Sequence, residues 1–477
     1  MGNKIFYLAV IMLILGIAYG LTLAHGLSWA NNGADGGDLI TAAFVNGIPH
    51  PTGYPLYLLI AKLFFLLPFG NLAYRTNLLS AFCTIMSALL IFITVHRLLV
   101  GKKFARMAST IAALAFGLSP LVWSQAVITE VYGLQSLLTI GILYQALSYG
   151  NKTSENFLRG LLFGLALGNH ITTIILIPVL FWDLKAKRFS PITEILIRSI
   201  GLILGSLIYI ILPLYARGNP VINWGNPVTL RSFFQLVSGQ IYQSYITLGF
   251  VIERLRGWAG LLIAHFSIPG IAIGLFAIMD SKKENGYFIP ILWMFFSYGV
   301  FALIYASYDS FVYLIPTVLA FSMLFGLGFN TLINFIIERW QRALWIIFPL
   351  IIGLFVWRTI YAVSNVNASK DDRAEVFNQA VFDSVPNSAM IITQDDSTTF
   401  ALWYFQFVEK KRIDTSVIAE GLLNYDWYQQ SLRVAYPDLE IPEVANLSPY
   451  HLIMNNTKRP YCFVYYQEKP EIECFHF

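Results

Sequence analysis

Asp35 and Asp38 lie three residues apart in NNGADGGDLITAAFVNGIPHPTGYPLY, residues 31–57. If a helix starts here, that spacing puts both carboxylates on one face. Gly33, Gly36 and Gly37 make its start a tight, adaptable turn. A general base must stand within hydrogen-bond reach of the proton it removes. A carboxylate at a half-dry interface, with a raised pKa, suits that task, which makes the pair a candidate catalytic centre. The plainer alternative is structural, with Asp35 as a helix cap and Asp38 in the first turn.

The following stretch, NGIPHPTGYPLY (46–57), carries Pro49, Pro51, Pro55 and Gly53 and cannot be a regular helix. It is read as an irregular loop re-entering toward the apolar run 56–69. Such backbone at membrane depth is tolerated where it lines a cavity, so His50 and Tyr54 become binding candidates. The alternative is that the prolines stop one interfacial helix and start another. Glu130 is the only charge in SPLVWSQAVITEVYG (119–133). It is placed to assist Asp35, bind a sugar hydroxyl or position an acceptor; a snorkelling surface Glu is the alternative.

Asn169 and His170 sit in GLALGNHITTIILIP (164–178), between two short apolar runs. They are candidates to orient a phosphate or carboxylate, against a helix-packing role. The segment 216–257 interleaves Arg217, Arg231, Arg254 and Arg256 with Trp224, Tyr242 and Tyr245. Guanidinium forks match phosphate oxygens, and Arg217 is the substrate-binding candidate here, although single arginines also anchor lipid headgroups. Asp309, in IYASYDSFVYLIP (304–316), is a further lone acid, with a cap as its alternative. No CxxC or HExxH spacing occurs, so neither a metal nor another cofactor is expected.

These residues need a membrane frame. Of 477 residues 57% are hydrophobic and 12% charged, against about 25% charged in soluble proteins. The mean hydropathy is +0.62. The net charge of +4 does not suggest a nucleic-acid partner. A span takes roughly 20 apolar residues. Candidates fall near 5–24, 76–100, 107–124, 131–149, 157–168, 171–183, 195–215, 258–279, 288–306, 311–333 and 343–363. The first reads as a retained helix rather than a signal peptide.

Alternate loops hold the positive charge: Lys4; Arg97, Lys102, Lys103 and Arg106; Lys152 and Arg159; Lys185, Lys187, Arg188 and Arg198; Lys282 and Lys283; Arg339 and Arg342. Segments 119–130, 169–170 and 307–310 hold no Lys or Arg. The positive-inside rule then puts the N-terminus in the cytoplasm and residues 31–57 and 364–477 outside. A prokaryotic plasma (inner) membrane is the expected location. The fold expectation is a mainly α, polytopic membrane protein: a bundle of about eleven transmembrane helices over 1–363, then a small extracytoplasmic α/β domain over 364–477. In that tail AMIITQDD (389–396), TSVIAE (415–420) and YCFVYYQ (461–467) read as strands, and 396–411 and 427–436 as helices. Cys462 and Cys474 are either bridged or two free thiols, and Cys83 is inert core.

The run GADGGDLITAAFVNGIPHPTGYPLY, with VWSQAVITEVYGLQ (122–135), GLALGNHIT (164–172) and TTFALWYFQFVEKKRIDTSVIAEGLLNYDWY (398–428), resembles a family of membrane proteins. That family is related to the eukaryotic O-mannosyltransferase acting on plexin-type receptors, within the GT-C glycosyltransferases. The family pattern, D-x-G-E followed by H-P-P-G-Y-P-L, has Asp38 in place of its Glu and Thr52 in place of its second Pro. The resemblance implies a GT-C-like bundle and an inverting transferase. Such an enzyme moves a sugar, mannose among the options, from a polyprenyl-phosphate to a hydroxyl of a protein or glycan at the outer face. It also implies Asp35 as base, with Asp38 the second choice, and contact with membrane lipids. The competing reading is a transporter or flippase of a lipid-linked sugar, which predicts paired half-helices in two related halves; no internal repeat is visible.

Overall fold

The computed structural model describes residues 2–147, 152–182, 190–279, 286–340, 342 and 344–476. The expected basic residues Lys185, Lys187, Arg188, Lys282 and Lys283 lie outside the described residues. The chain runs α1 (Gly2–Thr22), α2 (Gly36–Val45), α3 (Pro55–Phe65), α4 (Leu72–Leu98), α5 (Ala105–Gly117), α6 (Pro120–Ala126), α7 (Tyr132–Ala146) and α8 (Thr153–Leu167). A 3-10 turn, Ile171–Leu176, leads into the short α9 (Ile177–Leu180). Then come α10 (Pro191–Ser206), α11 (Ile211–Ala216), α12 (Leu230–Val237), α13 (Val251–Met279), α14 (Phe288–Ile304), α15 (Ile315–Arg339) and α16 (Leu344–Val366).

Among the described residues, helical segments lie in each of the stretches expected to span. By length and composition five described helical segments can cross a membrane, or six if α5 and α6, bent by 63°, count as one. Several of the others are shorter than a bilayer is thick; α7 and α8 have 15 residues each.

Small residues let the helices close on one another. A Cβ on Gly160 would sit 2.0 Å from the Arg198 carbonyl oxygen, and one on Gly205 would sit 2.3 Å from that of Leu161. Thus α8 and α10 touch backbone to backbone. Gly328 of α15 meets the Ile273 carbonyl of α13 in the same way, at 1.9 Å. At the other side of the bundle the Tyr19 hydroxyl of α1 donates to the Gly117 carbonyl at 2.7 Å.

After α17 (Arg373–Ser384) the tail forms a four-stranded sheet of β1 (Met390–Thr393), β2 (Ser416–Ala419), β3 (Tyr461–Tyr466) and β4 (Pro470–Phe475). Its order is β2-β1-β3-β4. β1 pairs parallel with β2 and β3, and β4 is antiparallel to β3. The parallel crossover from β1 to β2 runs through α18 (Asp396–Trp403), and α19 (Asp426–Ala435) and α20 (Pro449–Asn455) complete the helices. The expected strands and helices are present, but the helix expected over 396–411 leaves α geometry at Tyr404 for a π turn. β4 was not foreseen; it pairs Cys462 with Cys474 across the ladder, and the two are joined as a disulfide.

The tail is fastened to the first loop. Asp371 accepts from the Ser28 hydroxyl at 2.7 Å and from the Trp29 and Ala30 amides at 2.8 and 2.6 Å. A Cβ on Gly37 would lie 2.3 Å from the Phe400 carbonyl oxygen. Glycine there lets α18 rest directly on α2.

Candidate active site

Asp35 is the N-cap of α2, but its side chain makes no capping hydrogen bond. Its carboxylate instead faces a cavity of about 650 Å³ with 39% of the side chain exposed. Asp38, one turn on, is wholly buried. Its Oδ2 accepts from the His50 amide and pairs with His50 Nδ1, each at 2.8 Å, and its Oδ1 accepts from Trp224 Nε1 at 3.2 Å. A buried carboxylate must be satisfied by donors in this way. With its oxygens so committed, Asp38 holds His50 rather than reaching the cavity, so the helical spacing separates the two acids by role.

The loop 46–54 brings His50 to this position. Asn46 and Tyr54 have left-handed backbones at φ 54° and 42°, with Gly53 at φ 85°, which reverse the chain between α2 and α3. The Ile48 amide donates to the Ile222 carbonyl at 2.9 Å, and the Trp224 amide donates to the Ile48 carbonyl at 3.2 Å. This clasp sets Trp224 against Asp38. On the far side the Phe400 ring of α18 stacks on His50 at 6.3 Å. His50 Nε2 then points to Asp35 Oδ2 at 3.4 Å.

Burial opposes protonation of His50, but the facing Asp35 and the hydrogen bond to Asp38 outweigh it and lift its pKa to about 9. The site therefore contains an imidazolium clamped between two carboxylates. Burial raises the Asp35 pKa; His50 pulls it down, and Asp309 and Asp38 push it up again. Asp35 is thus a more basic carboxylate than an exposed one, set beside His50 and with an open face toward the cavity. Burial, and then Asp35, also raise the Glu130 carboxyl. His170 stays neutral, its pKa lowered to about 4 by burial and by His50. Its Nδ1 accepts from the Thr172 amide at 3.3 Å, which leaves its proton on Nε2.

The cavity gathers Asp35, His50, Tyr54, Glu130, His170 and Asp309 from the expected residues. Asn169 and Arg217 are not among its lining residues. Asn169 is buried and donates to Gln135 Oε1 at 3.0 Å and to the Val131 carbonyl at 3.3 Å, tying the end of α8 to α7. Arg217 is exposed at the C-cap of α11. The structure therefore does not bring these two together with the other expected residues at this cavity.

Several lining residues were not foreseen. Asp396 enters from α18, with its pKa raised to about 6 by burial and by Asp35. Tyr305 and Tyr313 join Tyr242, already singled out in 216–257, as an aromatic wall, and Ile174, Ile175 and Ile246 make another part of the lining apolar. Arg373 is the lone Lys or Arg of the lining among the described residues, and it is paired with Asp371. Asp396 opens α18, separated by two residues from the end of β1 at Thr393, and Asp395 caps the helix by accepting from the Thr398 amide at 2.9 Å. Among the described residues no group of three or more His, Cys, Asp or Glu is arranged to hold a metal ion.

Comparison with known proteins finds two family models that each match part of the chain. A family model described as the protein O-mannosyl-transferase TMEM260 N-terminal domain matches residues 35–193, beginning at Asp35 itself. A second, TMEM260-associated domain 2, matches residues 374–473. Protein O-mannosyl-transferase TMEM260 of Mus musculus is 27% identical over 482 aligned residues, covering 88% of this chain and 63% of that protein. Its Dictyostelium discoideum counterpart is 24% identical over 491, covering 89% and 58%. The chain thus spans about three-fifths of the length of the curated relatives it matches. Both are eukaryotic and lend no support to a prokaryotic membrane in particular. Among solved structures, ArnT from Cupriavidus metallidurans bound to undecaprenyl phosphate superimposes with a TM-score of 0.60 at 11% identity, covering 97% of this chain and 93% of that one. The chain is a multi-pass membrane protein of GT-C fold, related to the TMEM260 family of protein O-mannosyl-transferases.

Proposed function

We propose that this protein is an inverting membrane glycosyltransferase. It moves a sugar, mannose by kinship, from a polyprenyl-phosphate donor to a hydroxyl of a protein or glycan on the extracytoplasmic face. The observation that carries this reading is the Asp35 carboxylate, open to a large cavity and backed by the His50–Asp38 pair.

In this reading Asp35 accepts the acceptor hydroxyl's proton as its oxygen attacks the anomeric carbon. The carrier phosphate leaves from the opposite face, which inverts that carbon. His50 fixes Asp35 by charge and aim, and Asp38 and Trp224 fix His50. A protonated His50, with Nδ1 held by Asp38, is a poor base itself. A phosphate leaves readily without a strong acid, so aligning three reacting atoms supplies much of the rate. The aromatic and aliphatic walls suit a sugar ring and a prenyl chain, and the names of the relatives agree with mannose and a protein acceptor.

The test is to incubate the purified protein with radiolabelled polyprenyl-phosphate mannose, other polyprenyl-phosphate sugars and a panel of hydroxyl acceptors. Transfer of label to an acceptor with inverted configuration is expected. No transfer from any donor, with donor bound, would remove the reading.

A further inference from the structure

The tail and the membrane-side loops meet at Trp224. Its indole N–H donates to Asp38 Oδ1 at 3.2 Å, so the seat of this ring decides whether that buried oxygen keeps its donor. The clasp on Ile48 fixes the backbone of Trp224, but a backbone bond does not fix a ring. Two rings from the tail do so. Trp427 of α19 lies 5.1 Å from the Trp224 ring, tilted by 32°, and Phe400 of α18 lies 6.2 Å away, edge-on at 73°. Between them Trp224 is only 4% exposed.

The helix that carries Trp427 is itself anchored. Tyr428 and Leu432 of α19 are buried, and the Ala419 amide of β2 donates to the Tyr428 hydroxyl at 2.7 Å. Trp427 and Gln430, three residues apart, share a neighbouring face of the same helix. Gln430 bonds both ends of the loop that holds Trp224. Its Nε2 donates to Asn219 Oδ1 at 3.2 Å, and its Oε1 accepts from Asn226 Nδ2 at 3.1 Å. Asn219 and Asn226 have left-handed backbones, at φ 46° and 38°, which asparagine tolerates better than most residues. One tail side chain thus brackets the loop while another presses on its tryptophan.

We propose that Trp427 and Gln430 are positioning residues, through which the tail seats Trp224 on Asp38 and so keeps His50 aimed at Asp35. Neither of the two lines the cavity, so neither acts by touching a substrate there. Their effect passes along the chain Trp427, Trp224, Asp38, His50 and Asp35, each link a contact already described. The tail is then a working part of the site rather than an appendage to it. The consequence for sugar transfer rests on the reading of Asp35 given above; the seating of Trp224 does not.

Hydrogen exchange at the Trp224 indole, followed by NMR of the whole protein with nitrogen-15-labelled tryptophan, tests this without any substrate. Trp427→Ala should speed that exchange roughly three- to tenfold, the worth of an aromatic pair, and Gln430→Ala severalfold. The Trp123 indole, bonded to Thr22 Oγ1 at 2.9 Å, and the amides of β1 should exchange as in wild type. In the transfer assay kcat should fall by about the same factor in Trp427→Ala, with KM nearly unchanged, and Trp427→Phe should restore it. On a Trp224→Phe background, Trp427→Ala should cost nothing further, because both act through one contact. Wild-type exchange at Trp224 in both tail variants would overturn the proposal, as would losses in kcat that add on the Trp224→Phe background. Faster exchange with kcat unchanged would overturn it as well. Should Trp427→Ala loosen the β1 amides too, the exposed Gln430 decides alone. The expected exchange shifts, in a protein that transfers no sugar from any donor, would sink the transferase reading and leave the seating of Trp224 standing.

Discussion

Two buried clusters of charge among the described residues are built differently. At one, Asp35, His50 and Asp38 form a chain ending at a cavity. At the other, between α8 and α10, Arg198 and Glu194 pair at 3.4 Å, both almost fully buried, beside Arg159. There Arg198 donates to Asn156 Oδ1 at 2.8 Å and to the Leu180 and Trp182 carbonyls at 3.2 Å, and Arg159 donates to the Gln145 and Trp182 carbonyls. These bonds go to neighbouring carbonyls and to the Asn156 side chain, within packed protein. Burial of charge alone therefore does not mark chemistry. An unspent acceptor facing open volume does, and Asp35 has one.

Separating the two regions by mutation should produce opposite failures. Asp35→Asn should cut transfer at least about 100-fold, the usual worth of a general base, with thermal stability unchanged by scanning fluorimetry. Arg198→Leu should do the reverse. It strands Glu194 and costs about 3–5 kcal/mol of stability, seen as a lower melting midpoint and yield, while activity per folded molecule is kept. If Arg198→Leu melts like wild type, the packed cluster is not structural and the contrast fails.

Asp38→Asn should fall between these. It keeps an acceptor for Trp224 but loses the ion pair to His50, a charged hydrogen bond of about 1.5–3 kcal/mol. The corresponding loss in kcat is about ten- to a hundredfold, with little change in KM. A large KM change instead would place Asp38 in binding.

The smallest effect is on stability against pH. His50 has its folded pKa raised from 6.5 to about 9. Its contribution is complete below pH 6.5 and is lost as pH rises through 9. The melting midpoint should drop across that window, and His50→Gln should flatten that part of the profile. An unchanged slope in the variant would show that the carboxylates do not hold His50 protonated.

Much of the site was legible because it is local. The proline and glycine run around His50 forbids a helix, and the acids precede it within one segment, so the loop and its carboxylates follow from short-range chemistry. What the residues did not show is long-range. Asp396 reaches the cavity only because Gly37 lets α18 lie on α2, and neither residue announces the other. Arg217 sits in a segment rich in arginine and aromatics, yet the end of α11 turns it outward. β4 was missed because PEIECF alternates half-buried with exposed residues at the sheet edge, and its charges read as solvated chain. The helical stretches were visible from apolar length alone, but the glycine contacts that join α8 to α10 need the partner helix to be understood.

Chemical rescue of Asp35→Ala, assayed for sugar transfer with and without added formate, tests the central claim most directly. Removing the side chain opens the cavity floor beside His50, where a small carboxylate can bind. The account predicts transfer near background in the variant and a saturable gain with formate that wild type does not show. Full transfer by Asp35→Ala without formate would contradict it.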